Sequence, residues 1–276
     1  MRFSSRFAAL SIALTLLLSL VHPSVYAAAS FEFSVTVKTA FDKMKGASDK
    51  TTAAKLTTQY AELQTTQKLA LDWDSKISKL RFQNEEAILA TRKRIKELDA
   101  DKLLKLEAAV TQVKKKYEPL FRMYDSLNQQ LSIAKSFKDK TIVNVLKPQV
   151  ETTKAAVQLA KLDIRSKEAA LKNGKASTAN TIKKLREQLS HIDPIKIKIK
   201  ASNSSVSHTK KQFAAEASIL KQVVRKGDAT ATQSSFIRLL AYMQQIIGFK
   251  QNTYAYEQQA MAIIAKVDAQ IASSLK

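Results

Sequence analysis

The strongest constraint on the fold is the regular spacing of apolar residues. In residues 106–134 and again in 143–171, apolar side chains follow each other at alternating steps of four and three positions, with Thr153 and Lys167 as exceptions in the second series. This spacing places one apolar stripe along one side of a helix. The same step continues in residues 236–264, where Lys250 interrupts it, and a looser series occupies residues 182–224. With only four Gly and four Pro in 276 residues, the chain has few of the tight-turn residues that strand-rich folds need. We therefore predict an all-α fold, an elongated antiparallel helical bundle resembling a coiled coil.

Local stop signals predict how many helices there are. Gly followed by Asp, or Asn followed by Gly, is typical of a helix end and the N-cap of the next helix. A slip in the apolar phase at Asp99 and a polar stretch after Ser136 indicate further turns. One short and five long helices are predicted, with turns near residues 46–49, 99–101, 136–140, 173–177 and 227–229.

Three prolines and one alternating segment leave local alternatives open. The apolar series continue in phase through Pro119 and Pro148, which favours continuous, kinked helices. Because proline is tolerated in the first turn of a helix, a restart at each of these prolines or at Pro194 is the competing interpretation. Residues 195–200 alternate Ile and Lys, a strand-like pattern, but no partner strand is apparent and we favour a helix.

The first 27 residues are typical of a secretory signal peptide. Arg2 and Arg6 precede an apolar run of about 15 residues, followed by small residues around Ala27. We predict cleavage after Ala27, with Ala29 as the near alternative. The run is shorter than the roughly 20 residues that span a bilayer. The expectation is an exported, secreted chain with a single helical domain over residues 28–276 and no transmembrane insertion after cleavage.

The charge balance predicts a preference for polyanions. The chain has 46 Lys and Arg against 24 Asp and Glu, and residues 101–200 alone carry 22 bases and 10 acids. Such an excess attracts polyanions, and lysine does so as a mobile point charge. The alternative is that lysine only solubilises exposed helix faces. The candidate polyanion-binding residues are the bases clustered in this central third: Lys114, Lys115, Lys116, Lys183, Lys184 and Arg186.

No sequence pattern supports catalysis. The chain has no Cys and three His, which removes thiolate metal sites and cysteine nucleophiles from consideration. Phosphate-binding glycine loops, the nucleophile elbow and zinc-protease motifs are absent from the sequence. We therefore expect a non-enzymatic protein without a metal or other cofactor.

These features predict a structural or interaction protein of the cell envelope. Its expected partner is an anionic cell-wall polymer or another acidic surface, and export makes nucleic acid a poor physiological ligand. Self-association through the apolar seams stays open. The alternatives are an extracytoplasmic holdase chaperone and, less favoured, a helical pore-forming toxin that would insert residues 236–249. In composition the chain is similar to Ala- and Lys-rich exported helical proteins of Gram-positive bacteria, a likeness that assigns no residue a role.

Overall fold

The computed structural model describes residues 31–274, and the predicted signal peptide and its cleavage site lie outside them. The prediction of an all-α fold is confirmed, since the described residues contain no strand. Within residues 31–274, one short helix is followed by five long ones, the number that the stop signals predicted. The helices are α1 (Val35–Ala47), α2 (Lys50–Lys96), α3 (Ala100–Ser136), α4 (Lys140–Ser190), α5 (Ile192–Lys226) and α6 (Ala229–Ser274).

Four of the five predicted turns are present, and aspartates cap the helices that follow three of them. The Asp49 carboxylate accepts a hydrogen bond from the Thr52 amide at 3.0 Å. Asp139 caps α4 and Asp228 caps α6 by the same interaction with backbone amides two or three residues ahead. These contacts satisfy amides that have no acceptor within the helix. At the turn before α6, Gly227 has φ +74°, a backbone region that glycine occupies without strain.

The predicted turn at 173–177 is wrong, because α4 runs unbroken through it. A Cβ atom on Gly174 would lie only 2.8 Å from Leu106 Cδ1 of α3. The glycine therefore permits close packing of two helices and does not end one. The break falls instead at His191, whose amide donates to the Gln188 carbonyl at 3.2 Å.

The prolines divide between the two interpretations. Pro119 lies inside α3 and Pro148 inside α4, so these helices are continuous as favoured. Pro194 lies in the first turn of α5, where its missing amide hydrogen leaves no helical hydrogen bond unmade. The segment 195–200 is helical, as favoured, and lies within α5.

The described chain divides into two compact units, and α2, α5 and α6 each contribute to both; the prediction of a single domain stays a prediction. Unit 1 holds the described residues up to Leu71 together with Lys210–Met243. Its core contains an aromatic cluster of Phe31, Phe33, Phe41, Tyr60 and Phe236, with ring centroids 5.0–6.3 Å apart. The Phe31 amide donates to the Gln67 side chain at 3.1 Å, which holds the segment before α1 against α2.

Unit 2, formed by Asp72–Thr209 and Gln244–Lys276, contains an antiparallel helix pair. Lys175 pairs with Glu107 and Lys114 with Glu168, each at 2.6 Å, and the Tyr117 hydroxyl donates to Asp163 at 3.0 Å. Residue numbers therefore rise along α3 as they fall along α4. The apolar series of residues 106–134 and 143–171 form the seam between the two helices. Most seam residues are half-buried, and Val113, Leu131, Val150 and Val157 are among those that are buried.

The α2 and α6 segments of unit 2 run parallel to each other. Lys250 Nζ lies 2.7 Å from an Asp74 carboxylate oxygen, Asn84 donates to Glu257, and the Thr91 hydroxyl donates to Asp268 at 3.0 Å. Residue numbers rise together along both helices. Their apolar faces meet residues 185–195, around the α4–α5 junction, in a buried core that includes Ile95, Leu185 and Val267.

No helix in the described part of the chain combines the length and apolarity needed to cross a membrane.

Candidate anion-binding site

The six predicted bases fall into two groups on the α3–α4 pair. Lys114, Lys115 and Lys116 lie near the middle of α3, where Lys114 faces Glu168 of α4. Lys183 lies 15 residues beyond Glu168, which corresponds to about 22 Å at the helical rise of 1.5 Å per residue. The structure therefore does not bring the two groups together.

The α3 group is partly engaged by neighbouring side chains. Lys114 pairs with Glu168, and Lys116 Nζ lies 5.0 Å from the centre of the Tyr117 ring. Both contacts are exposed to solvent, where such pairs contribute little to stability. The ion pair with Glu168 offsets the charge of Lys114, whereas the contact with the Tyr117 ring leaves the charge of Lys116 unchanged.

The α4 group consists of Lys183, Lys184 and Arg186 and lies beside a cleft in unit 2. Of the three, only Arg186 lines the cleft, together with bases from two other helices. Arg92 and Lys96 lie one turn apart near the end of α2, so they share a helix face. Lys196 comes from the second turn of α5. These three side chains and Arg186 line a cavity of about 370 Å³. Lys183 and Lys184 are exposed on the turn of α4 before Arg186.

The floor of the cleft is apolar. It is formed by the buried side chains of Ile88, Ile95, Leu189 and Ile192, which belong to the core of unit 2. The chain break at His191 places the end of α4 and the start of α5 at the same wall of the cleft. The cleft thus combines an apolar base with a cationic rim, and its volume is in the range of small-ligand sites.

The electrostatic balance of the cleft favours an anion. Asp193 is the one carboxylate among the lining residues, against the four cations. Within residues 31–274, none of those cations forms an ion pair. The helix dipole favours a cation in the last turn of α2, which accounts for Lys96. It does not account for Lys196, which lies close to the positive end of α5 and whose charge acts to lower the pKa of the Glu257 carboxyl.

Buried ionisable groups elsewhere are engaged with polar partners. Lys250 pairs with Asp74, and Arg238 pairs with Glu216 at 2.8 Å. Burial raises the pKa of the Glu257 carboxyl, while the hydrogen bond from Asn84 opposes that shift. Among the described residues, no group of three His, Cys, Asp or Glu side chains is arranged to hold a metal ion.

Of the six predicted residues only Arg186 lines this cleft, whereas Arg92, Lys96 and Lys196, which also line it, were not among them. Residues 28–100 carry 13 bases and 10 acids, and this regional average hid a local run of four bases in residues 92–96. The usable signal was that run, directly before the predicted turn at 99–101. Comparison with known proteins found no match for this chain, whether among protein-family profiles, curated proteins or solved structures.

Proposed function

We propose that this protein is an exported, non-enzymatic interaction protein of the cell envelope that holds an anionic polymer at the cleft of unit 2. One observation carries the proposal. Four cations from α2, α4 and α5 surround an apolar floor with a single carboxylate among them. The apolar leader in residues 1–27 supports export.

The chemistry of the cleft favours a repeating anion over a small isolated one. The cationic side chains are exposed at the rim, so they reach ligands that extend past the cleft. Further lysines continue along α4 and α5, including Lys183, Lys184, Lys198 and Lys200. A polymer of phosphodiesters or carboxylates contacts several of these charges at once, and each contact adds to the salt dependence of binding.

The test compares two variants with the same loss of charge. The cleft variant carries Arg92→Gln, Lys96→Gln, Arg186→Gln and Lys196→Gln. The control carries Lys115→Gln, Lys161→Gln, Arg165→Gln and Lys172→Gln, which remove four exposed bases of the α3–α4 pair. Affinity for a purified glycerol-phosphate teichoic acid is measured over a series of NaCl concentrations, with dextran as the uncharged polymer.

We expect the cleft variant to bind the polymer at least about tenfold more weakly and with a flatter salt dependence, because it loses several ionic contacts. The control should lose much less, and far-UV circular dichroism should show equal helicity in both. An equal loss of affinity in the two variants would contradict a specific site at the cleft, because binding would then depend only on the total charge of the chain. No salt-sensitive binding by the unmodified chain would refute the proposal.

The two alternatives have weaker support. For the pore-forming alternative, the apolar side chains of the segment 236–249 are largely explained by packing: Phe236 and Leu239 are buried in unit 1, and Ile246 is buried in unit 2. For the holdase alternative, no contact or cavity described above favours an unfolded client. Polymer binding is therefore the function we put forward.

A further inference from the structure

The closed end of the α3–α4 pair exposes four large apolar side chains close together. Ile133 is 57%, Phe137 81%, Ile142 48% and Val145 58% exposed. We call these four residues the apolar tip. Single exposed apolar residues are common on protein surfaces, but a contiguous group marks an interaction site.

Helical geometry places the members of the apolar tip on one side of the helix pair. Ile133 directly precedes the buried seam residue Ala134, and Ile142 and Val145 directly precede the half-buried seam residues Val143 and Leu146. In two antiparallel right-handed helices, the position before a seam residue points to the same side of the pair on both helices. Phe137 follows at the end of α3 and completes the patch.

The turn at the tip does not need these apolar side chains. The Phe137 amide donates to the Ile133 carbonyl at 3.1 Å, and the Asp139 amide donates to the Ala134 carbonyl at 3.1 Å. The Asp139 carboxylate accepts from the amides of Thr141 and Ile142. Backbone hydrogen bonds and the Asp139 side chain thus define the turn, while Phe137 stays exposed.

Basic residues surround the apolar tip. The segment 126–150 contains four lysines and one acid, Asp139, whose carboxylate is already used as the N-cap of α4. All four lysines are exposed: Lys135, Lys138, Lys140 and Lys147. Apolar side chains among lysines are the arrangement of segments that lie in the interface of anionic membranes.

We propose that the apolar tip docks on the surface of an anionic lipid bilayer. Phe137 and its three apolar neighbours enter the boundary between headgroups and acyl chains, and the lysines contact anionic headgroups. A second copy of the chain is the less favoured occupant. A symmetric contact between two tips would bring like charges together, and no carboxylate is free at the tip to offset them.

The absence of cysteine from the chain allows a direct test with a single attached dye. The chain used starts at Ala28, which keeps every described residue and removes the apolar leader. An environment-sensitive fluorophore is attached to Phe137→Cys or, as the matched control, to Leu159→Cys. Leu159 is 69% exposed on α4 of the same pair and lies about 21 Å along the helix from Val145.

Vesicles of phosphatidylcholine alone are compared with vesicles that also contain phosphatidylglycerol. We expect the dye at position 137 to shift to shorter wavelength with anionic vesicles only, and the dye at position 159 not to shift. In co-sedimentation without dye, Phe137→Ser should lower vesicle binding about tenfold or more, because it removes a large inserted side chain. Leu159→Ser should leave binding unchanged, and Lys138→Gln with Lys140→Gln should flatten its salt dependence.

Three results would overturn membrane docking: no binding to anionic vesicles at low salt, an equal dye response at both positions, or a response at position 137 that rises with protein concentration in the absence of vesicles. The last would identify a second copy as the occupant. Phe137→Ser should keep its affinity for teichoic acid, so failure of either proposal is visible separately from the other.

Discussion

Several polar residues that interrupt the apolar pattern turn out to be buried and paired. Lys250 breaks the apolar series of residues 236–264, yet its side chain is 4% exposed and contacts Asp74. Glu257 is also buried and accepts a hydrogen bond from Asn84 Nδ2 at 2.7 Å. Removal of one partner from such a contact leaves the other desolvated and unpaired. These residues therefore fix which faces of α2 and α6 meet.

Burial of Glu257 predicts a pH-dependent stability. Because burial raises the pKa of this carboxyl, the folded state binds its proton more tightly than the unfolded state. The stability that the protonated group contributes is present below the unfolded pKa of 4.5 and is lost as pH rises through the folded pKa. We expect Glu257→Gln, which keeps an acceptor for Asn84, to melt at a higher temperature than the native chain at about pH 7.5 and at a similar temperature near pH 4.

Thermal unfolding followed by circular dichroism over that pH range tests the prediction. Glu86→Gln, at an exposed position on α2 near Asn84, is the control and should leave the melting temperature nearly unchanged at both pH values. A lower melting temperature for Glu257→Gln at neutral pH would mean that attraction to Arg81 and Lys196 outweighs the desolvation of the carboxylate.

At the scale of single helices, the buried stripe of α6 keeps alternating steps of three and four, but every second position lies one residue before the predicted alternation. Met261, which continues that alternation, is 47% exposed, while Ala260 is 3% exposed. Towards the C-terminus the buried positions become Ala260, Ile264, Val267 and Ile271. The seven-residue repeat thus holds along α6, and packing against the neighbouring helices decides which of two adjacent positions is buried.

Substitution of Gly174 or Gly248 by alanine is expected to change the free energy of unfolding differently, although both glycines lie inside helices. Around Gly248 nothing lies within 4 Å of an added Cβ, so Gly248→Ala should stabilise the chain by about 0.5–1 kcal/mol through helix propensity. At Gly174 the added Cβ would meet Leu106 Cδ1 at 2.8 Å. Gly174→Ala should therefore gain less or destabilise, and Gly174→Val should destabilise by about 1–3 kcal/mol.

Urea unfolding of the three variants measures these differences. The comparison needs similar m-values, which would show that the variants expose similar surface on unfolding. An equal gain for Gly174→Ala and Gly248→Ala would contradict the close packing of α4 on Leu106.

At the scale of the whole molecule, self-repulsion is the dominant electrostatic feature. The formal net charge is +22, and most of the ion pairs in the described residues are exposed. Exposed pairs stabilise little, whereas a large net charge of one sign disfavours the compact state.

Added salt should therefore stabilise the fold. Raising NaCl from about 10 mM to about 150 mM shortens the Debye length from roughly 30 Å to roughly 8 Å, and we expect the melting temperature to rise by a few degrees. The variant with Lys115, Lys161, Arg165 and Lys172 changed to Gln should show a smaller rise in melting temperature with salt. It carries less positive charge, so added salt has less repulsion to screen. A fall in melting temperature with salt would instead show that the ion pairs outweigh the repulsion.

The sequence by itself determined the fold class and four of the helix boundaries. The predicted number of helices also agrees, because the break at His191 replaces the one expected at 173–177. These properties depend on local chemistry: apolar periodicity, aspartate caps and the scarcity of Gly and Pro. Gly174 misled the prediction because the same residue serves a turn and a close helix contact, and nothing local distinguishes the two uses. Only the tertiary structure decided that α6 runs parallel to α2 and that Arg92, Lys96, Arg186 and Lys196 share one cleft. An apolar stripe buries equally well against any other stripe of similar shape, so the choice of partner depends on contacts far apart in the chain.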